Sequence, residues 1–242
     1  MQVDTIYTGN AMEMAHDLVD DATVSLIFTD PVYDQIDQYE WLGHLSMQVL
    51  QPQGKMLVWW DEINFDAIYR AMVPPLQFAG FMHWQRYGHM SPSRSGLTVI
   101  TPCLWLELPG DRSRTYSRIA NWMGVGSNTG SRMASAQFKW SKPEQLLRKW
   151  IGAFTQPGDL VLDPFTGTGT VPAVCKMLGR HYIGFEIDEE RAAIARERVA
   201  LTPVPLVVEG PGAQMEMPGV LAMADESEEE HDIHECGNSQ NK

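Results

Sequence analysis

The stretch Val161-Leu-Asp-Pro-Phe-Thr-Gly-Thr-Gly-Thr170 constrains the fold of this chain more than any other. A short β-branched run passes into a turn holding two glycines, and a helical-period stretch follows at once. Gly167 and Gly169 allow positive φ and let a ligand come close to the backbone. The amides of Thr168 to Thr170, at the start of the next helix, are expected to face that ligand. Twenty-three residues after Asp163 comes Tyr182-Ile-Gly-Phe-Glu-Ile-Asp188, a second strand ending in acids. Doubly wound folds hold ribose hydroxyls with an acid at the tip of that next strand, so Glu186 is the expected ribose ligand.

Asp163-Pro164-Phe165 lies between strand and glycines, so the loop departs from the dinucleotide fingerprint, which begins directly after the strand. A carboxylate at that point repels a diphosphate and favours a cationic amino group or sulfonium. No Gly-Lys-Ser/Thr follows, which excludes a Walker loop. Of the nucleoside-containing cofactors, S-adenosylmethionine suits this loop better than NAD.

The same alternation runs through residues 4–200 and predicts an α/β fold. Strands are expected at Thr5–Tyr7, Val24–Thr29, Lys55–Trp60, Met82–Arg86, Val99–Leu108, Leu160–Asp163 and Tyr182–Glu186. Helices are expected near Met12–Leu18, Tyr39–Val49, Asn64–Met72, Lys142–Phe154, Thr170–Leu178 and Glu189–Ala200. The pattern breaks between Glu107 and Lys139 into Arg, Ser, Gly and Asn, an excursion long enough to be functional. Residues 201–242 carry Pro, Gly and Met and then an acidic run. They are expected to form a mostly disordered tail. Three widely spaced cysteines offer neither a disulfide framework nor metal-ligand spacing, so no metal is expected. Without a leader or a long apolar run the protein is expected to be cytoplasmic and free of membrane contact.

The net charge of −13 discourages an acidic partner when taken whole. Its distribution reverses that. Residues 84–150 hold ten basic and three acidic side chains, while residues 1–83 hold two and twelve. The local excess suggests a surface for an anion. Arg86, Arg94, Arg112, Arg114, Arg118, Arg132 and Lys139 are the candidate phosphate or base contacts. His83 borders this block and His89 lies near its start; both are read as surface or core residues. Trp59, Trp60 and Trp105 are read as core.

A second motif, Leu26-Ile-Phe-Thr-Asp-Pro-Val-Tyr33, is again a strand ending in a polar turn. Asp30 supplies a carboxylate, Pro31 a stiffened carbonyl and Tyr33 a flat ring. That set suits a planar base with an amino group: two acceptors for its N–H bonds and a ring to stack on. An Asp-Pro turn after a strand is also common punctuation.

Together the two motifs resemble those of the amino-methylating DNA methyltransferases, the N6-adenine and N4-cytosine enzymes, in their circularly permuted class with the catalytic motif first. Thr29-Asp-Pro-Val-Tyr33 is similar to that family's D-P-P-Y, and Leu162-Asp-Pro-Phe-Thr-Gly-Thr-Gly-Thr170 to its D-P-F-x-G-S-G-T. Ile6-Tyr-Thr-Gly-Asn-Ala11 is similar to its Y-x-G-D element, with Asn10 replacing the acid. Lys142-Pro-Glu-Gln-Leu-Leu-Arg-Lys-Trp-Ile151 is similar to the helix over the cofactor. Lys142 and Pro143 retain the last two residues of the family's H-P-T-Q-K-P. Val32 replaces the second proline, and a looser turn is expected there.

The resemblance implies a doubly wound, mainly parallel seven-stranded sheet with one antiparallel strand. Residues 1–200 would form the catalytic domain, with a target-recognition insert at about 107–140. It implies S-adenosylmethionine as cofactor, held by Asn10, Lys142, Pro143, Asp163, Pro164, Phe165, Gly167, Thr168, Gly169, Thr170 and Glu186. It implies Asp30, Pro31 and Tyr33 as the catalytic set and double-stranded DNA as the partner; a homodimer is compatible with it. The rival readings are methylation of an RNA base or a protein amide, and a DNA-binding regulator that keeps the fold without turnover.

Overall fold

The computed structural model describes residues 1–86, 91–93, 96–98, 100–111, 123–126 and 142–204. In chain order the strands are β1 (Thr5–Thr8), β2 (Val24–Thr29), β3 (Leu50–Trp59), β4 (Gln77–Arg86), β5 (Ser91–Ser93), β6 (Gly96–Thr98), β7 (Ile100–Glu107), β8 (Met123–Gly126), β9 (Leu160–Asp163) and β10 (His181–Glu186). The helices are α1 (Ala11–Leu18), α2 (Ile36–Val49), α3 (Phe65–Met72), α4 (Glu144–Phe154), α5 (Thr170–Met177) and α6 (Glu189–Leu201). The six helices among the described residues lie within one unit, Met1–Pro205.

Strand β2 reads VSLIFT and is buried at every position, as a strand covered on both faces must be. It lies inside a sheet of order β1-β10-β9-β2-β3-β7-β4-β8. Among the described strands of this sheet only β7 runs antiparallel, between β3 and β4. The seven expected strands are all present, β7 being the expected antiparallel one. An eighth, β8, adds to the edge in parallel pairing with β4. Two of the four residues in its Met-Gly-Val-Gly sequence are glycine, which weakens a strand and gives no β-branched run to read. Strands β5 and β6 pair antiparallel in a separate two-stranded sheet.

Side chains alternate between the two faces of the sheet, and helices cover both. Ile27, Met56, Val58 and Leu162 meet Ala15 of α1, Leu42 and Leu45 of α2, and Ile68 of α3. Leu26, Phe28, Leu57 and Val161 meet Leu147 and Trp150 of α4, Val174 of α5 and Ala195 of α6. Phe28, Trp59 and Trp150 stack with centroids 5.1–6.1 Å apart, confirming Trp59 as core. Trp60 is buried against Phe65, and Trp105 packs edge-on against Phe154. His83 is half-buried with its ring 6.3 Å from Phe81; His89 lies outside the described residues.

The N-termini of two helices follow from local chemistry. Asn10 Oδ1 accepts from the Met12 amide and caps α1. Asp188 Oδ1 accepts from the Arg191 amide and caps α6, whose first turn holds Glu189 and Glu190 against the positive end of the dipole. Helix α4 begins at Glu144 rather than Lys142, because Pro143 stands at its N-cap in extended conformation. A proline also keeps the residue before it extended.

Buried charge appears where the carboxyl end of β7 meets β3, at the Lys55–Glu107 pair. Lys55 is 2% exposed, and its Nζ lies 3.1 Å from Glu107 Oε1 and 2.5 Å from Asp111 Oδ2. No helix among the described residues is long and apolar enough to cross a membrane.

Candidate active site

Strands β2, β3, β9 and β10 run parallel, so their carboxyl ends share one edge of the sheet. The chain leaves β2 toward β3 on one side, while β9 lies against β2 on the other. Open α/β sheets bind ligands at such a change of direction. A cavity of about 550 Å³ opens there, and Asp30, Asp163 and Glu186 all line it.

Asp163 is buried at the end of β9. Its Oδ1 accepts from Thr29 Oγ1 at 2.8 Å and from the Phe165 amide at 3.3 Å. Burial pushes its carboxyl up to about 7 even though these two hydrogen bonds pull it down, and the charges of Asp30 and Glu186 add to the rise. Pro164 is buried on the cavity wall, and Phe165 lies there with Trp41 edge-on to its ring.

The glycine loop is held at several points. Thr166 Oγ1 donates to the Asp163 carbonyl at 2.8 Å, and its amide donates to the Phe185 carbonyl in β10 at 2.9 Å. Gly167, at φ +55°, donates its amide to Glu186 Oε2 at 2.8 Å. Glu186 Oε1 in turn accepts from the Asp188 amide at 3.0 Å. Gly169 has φ +80°, and a Cβ there would stand 2.9 Å from the Ala195 backbone, so glycine is required by both conformation and space. The Gly169 amide donates back to the Thr166 carbonyl, while Arg198 donates to Thr170 Oγ1 at 2.8 Å. Thr168 and Thr170 line the cavity, whereas Gly169 packs behind it on α6.

Asp30, next in the chain after Thr29, presents both oxygens. Oδ1 accepts from Tyr33 Oη at 2.9 Å, and Oδ2 pairs with Lys142 Nζ. Lys142 Nζ lies 3.4 Å from Tyr33 Oη and 5.0 Å from the centroid of Trp59. Burial, followed by the Asp30 charge and hydrogen bond, raises the Tyr33 phenol far above its ordinary range, so it stays a donor. Pro31 is buried behind the turn. The Val32 amide, a group the family's proline lacks, donates to Gln38 Oε1 at 3.1 Å. The turn is thus tied to α2, where the sequence predicts a looser one.

The structure therefore brings ten of the expected residues to one cavity: Asn10, Asp30, Lys142, Asp163, Pro164, Phe165, Gly167, Thr168, Thr170 and Glu186. Tyr33 reaches the site through Asp30, and Pro143 serves as the N-cap of α4. Asn10 reaches it with Oδ1 on the Met12 amide and Nδ2 on Glu13 Oε1. Of the basic candidates, Arg86 ends β4 at the same carboxyl edge. Arg94, Arg112, Arg114, Arg118, Arg132 and Lys139 lie outside the described residues, as does the tail from residue 205.

Sequence reasoning missed Thr29, Trp59, Gln38 and Ile187 as lining residues. Ile187 is 71% exposed, an apolar side chain between two acids at a strand tip. That contrast was the available signal. Trp59 carried none, since a tryptophan in a buried strand already has a use. Among the described residues no cluster of His, Cys, Asp or Glu could hold a metal ion.

Similarity to known proteins agrees with this geometry. The family model described as DNA methylase, of the N6/N4 type, matches residues 24–197. The type II methyltransferase M.HpaI of Haemophilus parainfluenzae is 26% identical over 229 residues, covering 79% of this chain and 72% of that protein. M.HinfI of Haemophilus influenzae, also a type II methyltransferase, is 52% identical over 58 residues, 24% of this chain and only 16% of that protein. The crystal structure of the M1.HpyAVI-SAM complex superposes with a TM-score of 0.65 at 22% identity, covering 81% of this chain and 98% of the other. With a match across most of its length, and with both motifs at one sheet edge, the chain belongs to the N6/N4 DNA methylase family.

Proposed function

We propose that the protein transfers a methyl group from S-adenosylmethionine to the exocyclic amino group of a base flipped out of double-stranded DNA. Adenine N6 is the favoured target because the motif opens with Asp rather than Ser; N4 of cytosine is the alternative. The observation that carries this reading is the meeting of Asp30, just after β2, with Asp163 and Glu186 at the ends of β9 and β10 in one cavity. The catalytic motif standing before the glycine loop in the chain supports the permuted class.

The chemistry of the donor set fits the cofactor. Asp163 is a buried carboxyl raised to about 7, and a cationic amino group beside it would relieve that strain in charge. Glu186 would take the ribose hydroxyls, with Phe165 and Ile187 as apolar surfaces for the adenine. Asn10 and the glycine loop would bound the remaining polar edges. Bound there, the cofactor supplies an electrophilic methyl carbon to which the base nitrogen bonds as the carbon–sulfur bond breaks.

The chain's own residues then have three tasks. Asp30 and the Pro31 carbonyl accept the two N–H bonds of the amino group, which favours a pyramidal nitrogen with its lone pair aimed at the methyl carbon. Tyr33 holds the Asp30 carboxylate and offers its ring to the base. After transfer the nitrogen gives up one proton to Asp30 or, through it, to solvent, and no covalent adduct with the base is required. The acceleration comes from positioning and charge complementarity. The basic block of residues 84–150 would meet the phosphates and help offset the roughly few kcal/mol that flipping costs.

Incubation with methyl-labelled cofactor and duplex DNA tests the proposal, with nucleoside mass spectrometry to identify the product. Labelled N6-methyladenine is the expected outcome. Cofactor binding without transfer to any DNA would instead favour the regulator.

A further inference from the structure

In this structure the Lys142 ammonium sits where the target amino group would have to go. It pairs with Asp30 Oδ2, lies 3.4 Å from Tyr33 Oη and stands 5.0 Å over the ring of Trp59. A carboxylate, a hydroxyl and an aromatic wall are the partners that an amino-bearing base needs. Resting on the reading of the site given above, we infer that Lys142 is a resident stand-in for the substrate's amino group. It holds Asp30 and Tyr33 in register while the site has no base and must leave Asp30 before a base can bind.

Three features set this pair apart from an ordinary structural ion pair. Asp30 and Lys142 both line the cavity, and the Asp30 side chain is 34% exposed, so the contact is at the opening of the site rather than in the core. Lys142 precedes α4, on a residue that the following proline keeps extended, so its side chain can turn away without unwinding a helix. Its long flexible stem can carry the charge to another acceptor. Displacement is therefore an exchange of one donor for another at the same carboxylate. The amino group gains what the ammonium gives up, and the site discriminates against bases lacking an amino group less than a bare carboxylate would. Lys142 is thus a positioning residue for Asp30, and its cost is borne by base binding.

Two measurements test this, and the first needs no DNA. Reductive methylation followed by peptide mass spectrometry reads the reactivity of each lysine, with exposed Lys149 on α4 as internal reference. Asp30→Asn is expected to raise the reactivity of Lys142 relative to Lys149 by about tenfold, the scale of losing one charge-assisted hydrogen bond. An unchanged ratio overturns the proposal. The second measurement compares affinity for a duplex carrying the methylated motif with that for the same duplex whose target base has its amino group replaced by hydrogen. The wild-type protein and Lys142→Arg are expected to bind the two nearly alike, and Lys142→Met to prefer the amino-bearing duplex by about tenfold. Loss of a DNA-facing charge weakens both duplexes equally and cancels in the ratio. Equal ratios in all three proteins overturn the proposal. If no methylated motif exists, the reading of the site fails on its own test while lysine reactivity still decides this one.

Discussion

The two halves of the cavity are built differently. Around Asp163 and the glycine loop, most bonds involve backbone: Thr166 to the Asp163 carbonyl, Gly167 to Glu186, Gly169 to Thr166. Around Asp30 the partners are side chains, Tyr33 and Lys142, the latter 112 residues away in sequence. Backbone partners fix a shape in advance, and side-chain partners can be exchanged. The difference matches the tasks proposed for the two halves. A cofactor cradle gains from being set before its ligand arrives. A base subsite has to open for a group pulled from a duplex and close around it.

Substitutions can break each half separately. The largest expected effect is that of Asp30→Ala, which removes the acceptor for the amino group. Turnover should fall about 10²–10³-fold, while calorimetry finds cofactor affinity within about twofold, since Asp30 is not part of the backbone-built half. Joint loss of both would show that the halves are not separable.

Gly169→Ala strikes the other half. Its positive φ and the Ala195 backbone 2.9 Å from the new Cβ should cost about 1–3 kcal/mol in denaturant unfolding. Because the strain falls on the cradle, cofactor affinity should drop more than affinity for DNA. A variant as stable as the parent would mean that the loop is looser than its geometry implies.

The raised Asp163 carboxyl gives a third test, with a definite sign. In the free protein the folded state favours the protonated acid, since its pKa rises from 3.8 to about 7. The associated stability is present below the unfolded value and is lost as pH rises through about 7. A cationic ligand prefers the ionised form, so cofactor affinity should climb with pH and level off above about 7, changing by up to tenfold per unit below it. Asp163→Asn should flatten the profile and weaken binding. A profile that stays steep in the variant would assign the titration to another group.

The smallest effect is expected from Val32→Pro, which restores the family's residue and removes the amide bonded to Gln38. One exposed hydrogen bond is worth about 1 kcal/mol or less, so kcat/KM should change by no more than about fivefold. Gln38→Ala should produce a similar change. A large loss in one variant alone would separate the backbone tie from the glutamine.

The same division explains what could be read from the sequence. The strands of the core were legible because burial on both faces leaves near-continuous apolar runs such as the Leu-Ile-Phe of VSLIFT. Asp163, the two glycines and Glu186 were legible because strand, turn and helix follow one another directly, so local order implies local geometry. Lys142 and Asp30 were each named, but their pairing was not, since no periodicity links residues so far apart. Gln38 escaped because its partner is an amide created by replacing a proline with valine. Strand β8 escaped because a short glycine-rich edge strand takes its conformation from β4 rather than from its own side chains.

The central claim is transfer to a base amino group through Asp30. Modification-resolved sequencing of DNA from cells producing either the wild-type protein or Asp30→Ala tests it most directly. The account predicts methylated amino groups within one sequence motif for the wild type and an unmodified motif for the variant. Equal modification in both, or none with the wild-type protein present and able to bind its cofactor, would contradict it.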